Sequence, residues 1–141
     1  MFFEQLRSLN YLAILVAGLA AFLLGGVWYT ALFGNAWKRL SGYTDEQMQA
    51  MRSVRPMPVF FGIMIACYVI AAFAIAIILR ALAVTTPGAG AMVGLIVFIV
   101  VGAFAMTGHI SSPRPFKLYL IDAGFALVFL PVIGSILAIW R

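Results

Sequence analysis

Four long runs of apolar residues alternate with shorter polar segments along the chain. The runs cover about residues 11–33, 58–84, 89–110 and 116–140. A helix of about 20 residues crosses a hydrocarbon core of about 30 Å, so each run is long enough to span a membrane. Strands of a membrane barrel are shorter and alternate in polarity. The pattern predicts an all-α integral membrane protein, a four-transmembrane-helix bundle forming a single membrane domain over residues 1–141.

The longest polar segment, residues 34–57, connects the first two apolar runs. Thr44 and Gln47 have the spacing of a capping box, in which each side chain bonds the other residue's backbone N–H. Asp45 and Glu46 follow the cap, where the dipole of a helix favours acidic side chains. The segment therefore predicts a short interfacial helix between spans one and two.

Composition supports the membrane class and narrows the predicted partners. Apolar residues make up 65% of the 141 positions, charged residues 9%, and the formal net charge is +5. The basic residues lie near the ends of the predicted spans, with no basic face backed by stacking aromatics, so nucleic acid is not a predicted partner. Anionic lipid headgroups are the predicted partners of five of these side chains, namely Lys38, Arg39, Arg55, Arg114 and Lys117.

The distribution of basic residues predicts the orientation of the spans. One side of the membrane would hold six of them, Lys38, Arg39, Arg52, Arg55, Arg114 and Lys117, and the other side three, Arg7, Arg80 and Arg141. Cytoplasmic loops are enriched in lysine and arginine. Loops 34–57 and 111–115 are therefore predicted to be cytoplasmic, with both termini outside.

Small residues recur at helical spacing in three of the spans, where they would let neighbouring backbones approach closely. The predicted packing positions are Ala17, Ala21 and Gly25 in the first span, Gly90 and Gly94 in the third, and Gly134 in the fourth. These stripes offer more close-packing surface than one small bundle obviously needs. They favour a structural or interaction role, as a homo-oligomer or as an accessory subunit that binds another membrane protein.

An acidic residue, Asp122, lies inside the last apolar run. A carboxylate in hydrocarbon costs about 2.5–3.5 kcal/mol on insertion scales, so something must offset that cost. Alternating spans bring Asp122 into the same half of the bundle as Tyr119, His109, Tyr29 and Trp28, which predicts a polar pocket. Asp122 is then either a structural acid bonded to a tyrosine or a backbone group, or the proton or cation site of a small transporter.

Enzymatic chemistry is not predicted. His109, Ser111, Ser112 and Asp122 contain the residue types of a nucleophilic triad, but no motif sets their geometry. An enzyme acting on lipid headgroups, with His109 as the base, is a distant alternative. One histidine and four acidic residues provide no metal-ligand spacing, so neither a metal nor a cofactor is predicted. Cys67 is the sole cysteine, which excludes an internal disulfide.

Three stretches of the chain are similar to a known family. They are Gly25–Trp37, with its Gly-Gly-Val-Trp-Tyr and Phe-Gly-Asn-Ala-Trp segments, Arg114–Phe125, and Gly134–Trp140. In these stretches the chain resembles the bacterial four-span membrane proteins known as domain of unknown function 1761. The resemblance implies four spans and a membrane location, and we expect that membrane to be the bacterial inner membrane. It implies no particular activity.

Overall fold

A computed structural model describes residues 2–140; the basic residue Arg141 lies outside the described residues. Seven α-helices and one π-helical turn form this part of the chain: α1 (Phe2–Arg7), α2 (Tyr11–Val27), the π-turn (Trp28–Leu32), α3 (Gly34–Ser41), α4 (Asp45–Val54), α5 (Met57–Ala81), α6 (Pro87–Ile110) and α7 (Phe116–Ile139). Within the described residues, four helical segments are long and apolar enough to cross a membrane: α2 with the π-turn, α5, α6 and α7. The predicted all-α, four-span fold is confirmed, and the chain is a multi-pass membrane protein.

Helix α7 lies at the centre of the bundle and contacts α2, α5 and α6. The turn between α5 and α6 is short, yet α6 packs along α7 and touches α5 little. The core therefore forms where α2, α5 and α7 meet, and it contains the fully buried side chains Ile75 and Ile133. Most of the outer face of α6 is left exposed, for example at Ile99 and Phe104.

Glycines allow α6 and α7 to approach until their backbones touch. A Cβ atom added at Gly90 would meet the carbonyl oxygen of Gly134 and lie 2.7 Å from the Cβ of Ala138. A Cβ atom added at Gly94 would lie 2.6 Å from the Cα of Pro131. Because these neighbours belong to helical backbone, they cannot move aside as a flexible side chain can.

The small residues of the first span are also used inside the bundle. Ala17, Ala21 and Gly25 are buried on the side of α2 that faces the core. A Cβ atom added at Gly18 would lie 2.8 Å from the Cα of Val69, so α2 and α5 also approach at backbone level. The stripes that suggested spare surface for an oligomer are therefore filled by contacts within one chain.

The segment between the first two spans contains two helices, α3 and α4, where the sequence predicted one. The capping box of α4 is confirmed: the hydroxyl of Thr44 accepts the backbone N–H of Gln47 at 3.1 Å, and the side chain of Gln47 accepts the N–H of Thr44 at 3.0 Å. Helix α3 ends at Ser41 and is capped by Gly42, whose φ of 70° suits glycine. An ion pair of 3.1 Å between Lys38 and Asp45 links the two helices.

Candidate functional site

The first span ends in the π-helical turn, which contributes Tyr29 to the site. The backbone N–H of Phe33 donates to the carbonyl of Trp28 at 2.9 Å, five residues earlier instead of the usual four. A π-turn adds one residue to a helical turn and occurs frequently at functional sites. The added residue changes the orientation of Tyr29 within the turn and the register of Trp37, which follows it.

Trp28 fixes the π-turn against α7. Its indole N–H donates to the backbone carbonyl of Ile121 at 3.1 Å, and its ring centroid lies 4.7 Å from that of Phe33. Gly124 leaves room for the indole, since a Cβ atom there would lie 3.2 Å from Cζ2 of Trp28. Trp28 therefore positions the neighbouring Tyr29 and does not itself contact the carboxylate of Asp122.

Two neutral donors hold the carboxylate of Asp122. The hydroxyl of Tyr29 donates to Oδ1 at 2.8 Å, and the indole N–H of Trp37 donates to the same oxygen at 3.3 Å. Within residues 2–140, Asp122 forms no ion pair, and its Oδ2 accepts no hydrogen bond from another side chain or backbone group. The Asp122 side chain is exposed, so a ligand can approach the carboxylate from outside the bundle.

A groove of about 440 Å³ runs along α6 and α7 beside this carboxylate. Its polar lining consists of His109, Ser112, Arg114, Tyr119 and Asp122, and its apolar lining includes Val101, Ala105, Leu118 and Ala126. The polar groups of the α6–α7 turn lie at one end and Val101 and Ala126 at the other, with Asp122 between them. The groove is open along one side, where Val101 and Ala105 are exposed.

Tyr119 and His109 form the wall of the groove near the α6–α7 turn. The hydroxyl of Tyr119 donates to the backbone carbonyl of Gly102 at 3.0 Å, which ties α7 to α6. The ring centroid of His109 lies 5.5 Å from that of Tyr119 and 6.2 Å from that of Phe116. Of the predicted pocket residues, His109, Tyr119 and Asp122 thus line one groove. Tyr29 does not line the groove but is hydrogen-bonded to Asp122, which does. Trp28 lies outside the groove.

The sequence profile of the family described as "Protein of unknown function (DUF1761)" matches residues 12–138, nearly the whole chain. The chain belongs to this family. No curated protein and no solved structure matches it. Family membership confirms the resemblance drawn from the sequence. The stretch Gly25–Trp37 contains Tyr29 and Trp37, and the stretch Arg114–Phe125 contains Asp122, to which both donate hydrogen bonds.

Two side chains of this DUF1761 site were not among the predicted pocket residues. Trp37 had no recognisable pattern because its contact with Asp122 depends on the π-turn and on the start of α3. Arg114 is predicted to contact lipid headgroups; it also lines the groove and donates from Nη2 to the hydroxyl of Tyr43 at 3.1 Å. The alternation of the spans is the sequence feature that pointed to both, because it places Trp37 and Arg114 in the same half of the bundle as Asp122.

The chemistry of the site suits a singly charged cation. Among residues 2–140, no three His, Cys, Asp or Glu side chains come close enough to hold a metal ion. One carboxylate beside neutral aromatic donors matches the charge of an ammonium group or a proton.

Proposed function

We propose that this DUF1761 protein is a small cation-linked transporter in which Asp122 binds the ammonium group of its ligand or a proton. One observation carries the proposal: an acid inside a membrane span has only neutral partners among the described residues and opens into a groove. Acidic residues inside membrane spans mark ligand and proton pathways in many transporters. The proposal assigns the protein binding and transport without chemical change of the ligand.

The depth of Asp122 supports binding of a cation. Asp122 follows the first residue of α7, Phe116, by six positions, which places it about 9 Å further along the helix axis. Two hydrogen bonds from neutral groups satisfy Oδ1, but no positively charged group in the described part of the chain balances the negative charge of the carboxylate. A cation at Oδ2 would supply that compensation, and the groove has the volume of a small-molecule site, since such sites run from about 300 to 1,000 Å³.

The packing of the small residues favours the transporter over the structural role expected from the sequence. The sequence predicts a homo-oligomer or an accessory subunit because Gly90, Gly94 and Gly134 could pack against another chain. These glycines face one another within the bundle. The main reason to expect a protein partner therefore no longer holds. The groove beside Asp122 and the two hydrogen-bond donors to its carboxylate support a cation site instead.

The ammonium site is tested with a pair of probes that differ in charge. In dodecyl maltoside micelles, which carry no charge, n-hexylammonium is expected to quench tryptophan fluorescence saturably because Trp37 contacts Asp122. The neutral analogue 1-hexanol is expected to bind at least about tenfold more weakly, a difference of about 1.4 kcal/mol. Asp122→Asn is expected to reduce the affinity for n-hexylammonium to that of 1-hexanol.

The matched control is Glu46→Gln, which removes an exposed acid from the first turn of α4 and leaves the groove intact. It is expected to bind n-hexylammonium as the wild type does. In liposomes, uptake of radiolabelled methylammonium driven by a membrane potential is expected for the wild type and Glu46→Gln, and is expected to be absent for Asp122→Asn. Equal binding of the two probes would contradict the ammonium site, and binding without uptake would contradict transport.

We also propose that the groove end of the bundle faces the cytoplasm of a bacterial inner membrane. Six basic residues lie at this end, against Arg7 and Arg80 at the other end of the described chain. The positive-inside rule favours this orientation. Lys38, Arg39, Arg55 and Lys117, all exposed, would then meet anionic lipid headgroups together with Arg114.

Single cysteines introduced on a Cys67→Ser background test this orientation. Thr85 in the α5–α6 turn and Ser53 in α4 are exposed at opposite ends of the bundle. In spheroplasts of a bacterial host, a membrane-impermeant maleimide is expected to label Thr85→Cys at once. Ser53→Cys is expected to react only after the membrane is permeabilised. The reverse order of labelling would show that the proposed orientation is wrong.

A further inference from the structure

Two opposite charges line the groove without neutralising each other. Arg114 lies at the end of the groove formed by the α6–α7 turn, and Asp122 lies further along α7. Within the described residues, neither side chain forms an ion pair. Each is held by a tyrosine hydroxyl instead: Tyr43 accepts a hydrogen bond from Arg114 at 3.1 Å, and Tyr29 donates one to Asp122 at 2.8 Å.

The contact with Tyr43 leaves most of the guanidinium group of Arg114 available. Only Nη2 donates to the hydroxyl of Tyr43, and the guanidinium carbon lies 6.0 Å from the centroid of the tyrosine ring. A guanidinium has five N–H donors and binds phosphate or carboxylate with two of them in parallel. His109, which lines the same end, adds a ring N–H able to donate to an anion, whereas the hydroxyl of Ser112 already donates to the backbone carbonyl of His109 at 3.1 Å.

We propose that the groove binds a zwitterion of the phosphoethanolamine type, with its ammonium group on Asp122 and its phosphate on Arg114. The inference rests on the proposed ammonium site and adds the anionic partner and the class of ligand. A bound zwitterion neutralises both charges at once, which neither a simple amine nor a simple anion does. Arg114 and Asp122 line the same groove, so the phosphate and the ammonium group of one ligand would lie in a single site.

Phosphoethanolamine occurs both as a free compound and as a lipid headgroup, and the groove has features that suit each source. The turn end, with Arg114, His109 and Ser112, is polar and lies at the end of the spans, where a soluble ligand enters. The exposed side at Val101 and Ala105 opens laterally, at the level of the lipid chains. The two sources share one recognition chemistry, and the experiment separates them.

The first arm compares free phosphoethanolamine with ethanolamine, which lacks the phosphate, by tryptophan fluorescence in dodecyl maltoside micelles. The wild type is expected to bind phosphoethanolamine about tenfold more tightly, because its phosphate accepts charge-assisted hydrogen bonds from the guanidinium group. Arg114→Gln is expected to abolish this preference. Lys117→Gln is the matched control, because Lys117 is an exposed cation at the same end that does not line the groove.

The second arm measures displacement of n-hexylammonium in mixed micelles that contain either phosphatidylethanolamine or phosphatidylglycerol. Displacement by phosphatidylethanolamine alone, dependent on Arg114, assigns the site to a lipid headgroup. Preference for free phosphoethanolamine without such displacement assigns it to the soluble compound. Either result supports the zwitterion site.

The outcomes also separate this inference from the proposed function. Failure of Asp122→Asn to weaken n-hexylammonium binding overturns both. If Asp122 governs n-hexylammonium binding but no phosphoethanolamine preference appears in either arm, only the zwitterion site is overturned. The same conclusion follows if Arg114→Gln keeps the preference or if Lys117→Gln loses it equally. Far-ultraviolet circular dichroism of each variant shows that a lost preference does not reflect lost helix.

Discussion

Gly90→Ala is expected to destabilise the bundle by about 3 kcal/mol or more, because an added methyl group cannot fit between α6 and α7. The new Cβ atom would overlap the carbonyl oxygen of Gly134 and lie 2.7 Å from the Cβ of Ala138. Both neighbours belong to α7, the helix that contacts α2 and α5 as well. Separating α6 from α7 to make room would also widen the groove that contains Asp122.

The measurement is the free energy of unfolding in mixed dodecyl sulfate and dodecyl maltoside micelles, followed by circular dichroism. Gly88→Ala is the matched control, since Gly88 lies two residues earlier in α6 and a Cβ atom there meets nothing within 4 Å. It is expected to stay within about 0.5 kcal/mol of the wild type, the usual range for surface substitutions. Equal stabilities of the two variants would show that α6 and α7 do not touch at Gly90.

Tyr29→Phe is expected to lower the free energy of unfolding by about 2 kcal/mol in the wild type and by almost nothing in an Asp122→Leu background. The hydroxyl of Tyr29 donates to Oδ1 of Asp122 at 2.8 Å, and a hydrogen bond to a charged group contributes about 1.5–3 kcal/mol. Phenylalanine keeps the ring contact with Phe125, whose centroid lies 5.4 Å from that of Tyr29. The difference between the two backgrounds isolates the hydrogen bond.

Tyr68→Phe is the control for this cycle. Tyr68 also packs against Phe125, with ring centroids 6.0 Å apart, and within the described chain its hydroxyl makes no hydrogen bond. The substitution is therefore expected to cost about 0.5 kcal/mol or less in both backgrounds. A coupling energy near zero between Tyr29 and Asp122 would mean that the carboxylate is not held from the π-turn.

The cycle also separates the two roles that the sequence left open for Asp122. A purely structural acid would stabilise the fold through Tyr29 and Trp37 and would bind n-hexylammonium no better than 1-hexanol. A ligand-binding acid would show both the coupling energy and the charge-dependent binding. The two hydrogen bonds to Oδ1 and the open Oδ2 allow one residue to fill both roles.

The site was only partly predictable, and the reason lies in the π-turn. The sequence placed Asp122, Tyr119, His109 and Tyr29 in one half of the bundle because alternating spans bring those ends together. It could not show that a π-turn after Val27 changes the register of the next aromatic residues, since no residue pattern in the first span distinguishes it from an ordinary helix end. The contact of Trp37 with Asp122 follows from that geometry.

The sequence by itself determined the class, the four spans to within three residues, and the capping box of α4. These features depend on the length of apolar runs and on groups three residues apart, which local chemistry sets. Only the tertiary structure decided where the small residues pack. Gly90, Gly94 and Gly134 have the same spacing whether they face another chain or each other, and the backbone contact between α6 and α7 resolves that ambiguity. The partners of Asp122 were decided in the same way, because the residues that meet there are 85 and 93 positions away along the chain.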